Sequence, residues 1–233
     1  MTTIKPDLDL AARAAVAART QALFRASGAF REGHFQLKSG RHGDAYVEKF
    51  AVLSDPATTS ELCGYWAARF RGRGDGVQPL VDLVVGPTTG GVILAFETAR
   101  QIGVRSIFAE EVRDPVDGAT HREFRRGFTI QRGERVLLVD DILTTGGSLL
   151  AMIPAVEGLG GEIVECAVLV DRSGGRATLT SPATGRVYPL RSLWQLDLPT
   201  YEPGPASCPR CAAGDDVYAP GSTGTGTGPA VGA

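Results

Sequence analysis

Residues 136–148 read Val-Leu-Leu-Val-Asp-Asp-Ile-Leu-Thr-Thr-Gly-Gly-Ser, and this run constrains the fold more than any other part of the chain. The apolar run from Val136 to Val139 predicts a strand buried on both faces. Such strands belong to parallel sheets covered by helices. Asp140 and Asp141 follow, then a turn rich in Thr and Gly, then a predicted helix over residues 147–159. Open α/β sheets bind ligands at the carboxyl ends of their strands, where this turn falls. A helix start presents unpaired N–H groups and partial positive charge to an anion. Gly146 and Gly147 let the backbone come close to a phosphate, and the hydroxyls of Thr144, Thr145 and Ser148 add donors. Carboxylates repel phosphate, but they suit the two hydroxyls of a ribose and the water shell of Mg²⁺. One turn can therefore hold a sugar diol together with its 5'-phosphate.

The surrounding sequence repeats the same rhythm. Apolar runs at 81–85, 105–109, 136–139 and 163–170 predict strands, and 91–100 and 147–159 predict the helices between them. This alternation implies an α/β domain with a central, mostly parallel sheet flanked by helices. Ahead of it, the Ala-rich stretch 6–27 predicts an amphipathic helix closed by Gly28. Residues 33–48 predict two short strands around a turn at 39–43, and 55–70 a second helix with Pro56 in its first turn. Residues 187–193 predict an edge strand or part of a small lobe. Residues 110–127 are polar and charged and predict a long functional loop leading into a strand at 127–130. Beyond Pro199 the periodicity is lost, and 221–233 is a low-complexity tail.

Composition narrows the class of function. The net charge is −2, which gives no basic excess for nucleic acid or an anionic membrane. No run of about 18 apolar residues predicts a membrane span. The first ten residues lack a signal-peptide pattern, and four cysteines in 233 residues fit a reducing, cytoplasmic setting. Neither a P-loop nor a dinucleotide fingerprint is present.

The stretch from Asp140 to Ser148 resembles the 5-phosphoribosyl-1-diphosphate (PRPP) signature of type I phosphoribosyltransferases. Three further segments resemble the orotate phosphoribosyltransferases within that family. Residues 33–42, Gly-His-Phe-Gln-Leu-Lys-Ser-Gly-Arg-His, are similar to their N-terminal signature, with Gly43 where Ser is usual. The resemblance implies that Lys38 binds PRPP and orotate. Residues 84–91, which include Thr88, Thr89, Gly90 and Gly91, resemble the family's pyrophosphate loop. Arg172, after the strand ending near Val170, matches the Arg that faces the orotate carboxylate, and Thr144 is the other implied orotate contact. Ile142, Leu143, Thr144, Thr145, Gly146, Gly147 and Ser148 complete the implied PRPP loop, with Asp140 and Asp141 at the ribose.

The resemblance also implies a fold and a reaction. Residues 1–50 would form an N-terminal helix and a small hood, 51–200 the PRPP-binding core, and 201–233 a C-terminal extension. N1 of orotate would displace pyrophosphate from PRPP to give orotidine 5'-monophosphate, a step of pyrimidine biosynthesis, with Mg²⁺ as cofactor in a homodimer. A flexible loop would close over the site. Its counterpart here, 110–126, contains no Lys and has Glu111 where many relatives carry Lys; the resemblance implies Asp140, Asp141, His121 and Arg122 as the catalytic groups. Two alternatives stay open: a type I transferase for another base, and a non-catalytic PRPP-binding regulator. Cys208-Pro-Arg-Cys211 resembles a C-terminal motif of one bacterial branch of the family. A structural zinc centre wants four ligands, and Cys63 and Cys166 stand alone, so no metal is expected there. A site shared between two chains and a disulfide are the other possibilities.

Overall fold

The computed structural model describes residues 10–37, 39–72, 77–116 and 118–220. The chain begins with α1 (Leu10–Ala26), closed by Gly28 at φ 69°. A hairpin follows, β1 (Phe30–Gln36) and β2 (His42–Val47). The short α2 (Lys49–Leu53), absent from the sequence reading, leads into α3 (Pro56–Phe70). Asp55 caps α3 by accepting a hydrogen bond from the Ala57 N–H, and Pro56 at the first turn loses no intrahelical bond.

The core alternates as the periodicity predicts. It comprises β3 (Leu83–Pro87), α4 (Gly90–Ile102), β4 (Arg105–Arg113), β5 (Thr120–Glu123), β6 (Arg135–Leu143), α5 (Gly147–Gly158) and β7 (Glu162–Asp171). Then come β8 (Thr178–Thr180), β9 (Val187–Gln195), β10 (Thr200–Tyr201) and the four-residue α6 (Pro209–Ala212). Seven strands form one sheet in the order β5-β4-β3-β6-β7-β9-β8. The five central strands are parallel, and β5 and β8 close the edges antiparallel. The expected α/β architecture is therefore present.

Strand alternation explains how both faces are covered. On one face Val84, Leu137, Val139, Ala167 and Leu169 pack against Phe24 of α1, Leu62, Trp66 and Phe70 of α3, and Leu94 and Ile102 of α4. On the other, Leu83, Val85, Val136, Leu138, Cys166 and Val168 meet Leu149, Met152, Ile153 and Val156 of α5. Each fully buried Leu or Val contributes about 1.5–3 kcal/mol relative to exposure, so β6 is firmly anchored at the centre.

Four expectations are corrected. β9 is not an edge strand but lies between β7 and β8, because Tyr188, Leu190 and Trp194 give it a buried face. The loop at 110–127 is largely a hairpin, since β4 continues to Arg113 and pairs antiparallel with β5. No strand forms at 127–130; Gly127 at φ 73° and the turn before it carry the chain away from the sheet. The stretch after Pro199 is not featureless. β10 pairs with β2 to complete a three-stranded hood, and Tyr218 bridges to Phe35 of β1. Arg41 fastens this junction, donating to the Thr200 hydroxyl at 2.9 Å and carbonyl at 2.8 Å and pairing with Glu202.

Candidate active site

β6 does not stop at Val139 but runs to Leu143, so Asp140 and Asp141 stand on the strand and project to opposite faces. Both are buried, at 7% and 4% exposure. Asp140 lines a cavity of about 140 Å³ together with residues 142–149, the predicted phosphate loop. At about 10–15 Å³ per water on this measure, it has room for on the order of ten waters, enough for a phosphate group. Gly146 enters α5 at φ 86°, a conformation that favours glycine, and no side chain caps the helix. Thr144 and Thr145 are exposed, and Thr145 holds Arg176 through its carbonyl at 3.1 Å.

Burial, reinforced by the neighbouring Asp141 charge, pushes the Asp140 carboxyl up to about 7. Asp141 faces the other way. Its Oδ1 accepts from the Ile142 N–H at 2.7 Å, and Lys49 Nζ of α2 comes within 2.8 Å of Oδ2. That approach is not aligned as a hydrogen bond, and Oδ2 is buried without an aligned donor. Lys49 escaped the sequence reading because it belongs to no motif; only the fold carries it to β6.

The two glycine-bearing turns lie against each other. Gly90 packs on Asp141, and a Cβ there would collide with Oδ2, while one at Gly91 would collide with the Pro87 ring. Thr88 and Thr89, joined by a cis peptide, lead into α4, whose start also lacks a side-chain cap. Arg122 spans both turns from β5. Its guanidinium donates to the Thr88 hydroxyl at 3.1 Å and to the Ser148 hydroxyl at 3.5 Å, and pairs with Glu111 at 3.2 Å. Arg122 thus joins the site predicted for it. His121 does not: adjacent strand residues face opposite ways, and its imidazole meets Glu123 at 2.7 Å on the far side of the hairpin.

Arg172 follows β7, and its backbone N–H donates to the Leu143 carbonyl at 2.7 Å, setting it beside the end of β6. Burial lowers its pKa, and Tyr46 of the hood is the group whose charge opposes this. Arg172 Nε is buried without a protein partner. Lys38 lies outside the described residues. In the hood, His34 of β1 and His42 of β2 meet Cys208 and Cys211. Counting cysteines alone had left that pair two ligands short, and the motifs Gly-His-Phe and Arg-His-Gly contained the signal.

Residues 68–185 match the phosphoribosyl transferase domain family. A relative from Desulforamulus reducens named orotate phosphoribosyltransferase is 39% identical over 200 residues, 86% of this chain and 94% of that one. One of the same name from Methylobacterium sp. (strain 4-46) is 43% identical, covering 85% and 95%. The crystal structure of orotate phosphoribosyltransferase from Aeropyrum pernix superposes with a TM-score of 0.58 at 24% identity, over 76% of this chain and 93% of that chain, which shows a shared fold. Among the described residues no helix is long and apolar enough to cross a membrane.

Proposed function

The chain belongs to the orotate phosphoribosyltransferase family, and from that premise we propose that it transfers the 5-phosphoribosyl group of PRPP to orotate, releasing pyrophosphate and orotidine 5'-monophosphate. The observation that carries this reading is Arg122, whose one side chain touches Thr88 of one anion-suited turn and Ser148 of the other.

The assignment of parts follows the chemistry of each. The turn at 144–148 takes the 5'-phosphate on the start of α5. Asp140 and Asp141 accept hydrogen bonds from the ribose hydroxyls. Residues 88–91 and Arg122 receive the pyrophosphate, on which negative charge grows as the bond to C1 breaks. Arg172, a half-buried cation whose Nε is buried without a protein partner, pairs with the orotate carboxylate, and Thr144 and Lys38 are the other proposed orotate contacts. N1 of orotate gives up its proton and forms the new bond to C1, while pyrophosphate departs with the electron pair of the C1–O bond and can take up that proton. Positioning and electrostatic stabilisation suffice, and no protein nucleophile is needed.

The donor set also fits Mg²⁺. Asp140 offers hard carboxylate oxygens in the cavity of the phosphate turn, where they would hold the ion through its waters, while Asp141 Oδ2 on the other face lies 2.8 Å from Lys49 Nζ. When bound, Mg²⁺ neutralises phosphate charge. A homodimer is part of the proposal, with His121 on the outer side of the β4–β5 hairpin turned toward a second subunit. Exposed Phe96 and Ile93 on α4 supply apolar surface for such a contact. The cytoplasm is the proposed setting.

The test is a spectrophotometric assay with orotate, PRPP and Mg²⁺. Orotate absorbance should fall as the nucleotide forms. Turnover of adenine or uracil instead would move the chain to another base, and PRPP binding without turnover of any base would make it a regulator.

A further inference from the structure

His34 of β1, His42 of β2, and Cys208 and Cys211 of the C-terminal extension place one ligand atom each within 4.8 Å of one another. We propose that these four residues bind a structural Zn²⁺ ion that fastens the hood to the extension.

The distances suit that ion. Zinc–sulfur bonds of about 2.3 Å and zinc–nitrogen bonds of about 2.0–2.1 Å at tetrahedral angles set sulfur and nitrogen ligands about 3.5 Å apart. Here Cys208 Sγ and Cys211 Sγ each lie 3.5 Å from His34 Nε2, and Cys211 Sγ lies 3.2 Å from His42 Nδ1. The two ring nitrogens are 2.8 Å apart, and a bound ion opens that edge by about half an ångström. Neither cysteine is in a disulfide.

The surroundings prepare the ligands. His34 Nδ1 lies 2.9 Å from the carbonyl oxygen of Asp215. A carbonyl can only accept, so Nδ1 carries the hydrogen and the Nε2 lone pair faces the cluster. This is the outer-shell hydrogen bond that orients metal-bound histidines. His34, His42 and Cys208 are no more than 6% exposed. Two thiolates and two imidazoles make a soft, tetrahedral set that selects zinc, and four protein ligands leave no open position for catalysis.

The extension also needs such a tether. Among residues 201–220, Cys208 alone is buried, so this segment has no apolar core of its own. Its other ties to the hood are the two-residue β10, the Arg41 contacts and the Tyr218 bridge.

The experiment uses the full chain expressed with added zinc and purified under reducing conditions. Elemental analysis should give about one zinc per chain. The Cys208→Ser/Cys211→Ser double variant and His34→Gln should each fall below about a tenth of that. Cobalt replacing zinc should show the intense visible absorption of a tetrahedral thiolate site. Chelation should expose both thiols to alkylation and speed proteolysis within 200–220 while the core sheet stays intact. Those three readouts on the wild-type chain hold even if a variant fails to fold. Wild-type protein that contains neither zinc nor bound cobalt overturns the proposal. So does a double variant that keeps its zinc, or a Cys208–Cys211 disulfide in peptides from unreduced protein.

Discussion

Arg122 and Glu111 are directly opposed across the β4–β5 hairpin, and the Arg122 side chain, only 8% exposed, reaches past that carboxylate to Thr88 and Ser148. A cation so placed is already largely desolvated beside the position proposed for the leaving group. Arg122→Ala should lower kcat/KM by about 100-fold. His121→Ala, on the other side of the hairpin, should cost less than Arg122→Ala in steady-state assays. Equal losses would place both side chains in one site.

The protonation of Asp140 gives a pH prediction. Its folded-state value of about 7 lies above the ordinary 3.8, because burial and the Asp141 charge oppose ionisation. The resulting stability is fully present below the unfolded value and is lost as pH rises through the folded one. Thermal melts of ligand-free Asp140→Asn should match wild type below about pH 4. The variant should then gain a few degrees over wild type as pH rises toward 7 and hold that gain above it. A difference that stays flat with pH would refute the assignment.

Gly90 allows the two turns to meet. Gly90→Ala drives a methyl group into Asp141 Oδ2 and should destabilise the fold by about 1–3 kcal/mol in denaturant titrations. Gly158→Ala, where a Cβ meets nothing within 4 Å, should be neutral or stabilise by about 0.5–1 kcal/mol. Equal stability of the two variants would contradict the close approach.

Arg172 separates the substrates. Arg172→Ala should raise KM for orotate about tenfold or more and leave KM for PRPP within about twofold. Equal rises in both would remove the carboxylate role.

Much of this architecture was legible in the sequence because it is local. The apolar run at 136–139, the Asp-Asp pair and the Thr/Gly turn are contiguous, and each dictates its own conformation. What escaped was non-local. Lys49 reaches Asp141 only because the fold, with α2 packed on α3 and α4, carries it to the end of β6. His34 and His42 join Cys208 and Cys211 only because the last strand returns to the first hairpin. The β5 strand was hidden for another reason: its residues, Thr120 to Glu123, are all polar, since one side of the ribbon carries Arg122 inward and the other is solvated. The inner place of β9, expected as an edge strand or part of a small lobe, is hidden because β8, its three-residue cover, is too short to leave a periodic signal.

The pairing of β2 with β10 fixes an order of events in the cell. Domains fold from the N-terminus as the ribosome delivers them, yet the hood hairpin made first waits for Thr200 and Tyr201, which follow every strand of the central sheet. The nascent chain can therefore complete its central sheet with β9 and still lack the third strand of its roof. The proposed site would stay unroofed until then, and a truncation just before residue 200 should yield a folded central sheet without the third strand of its hood.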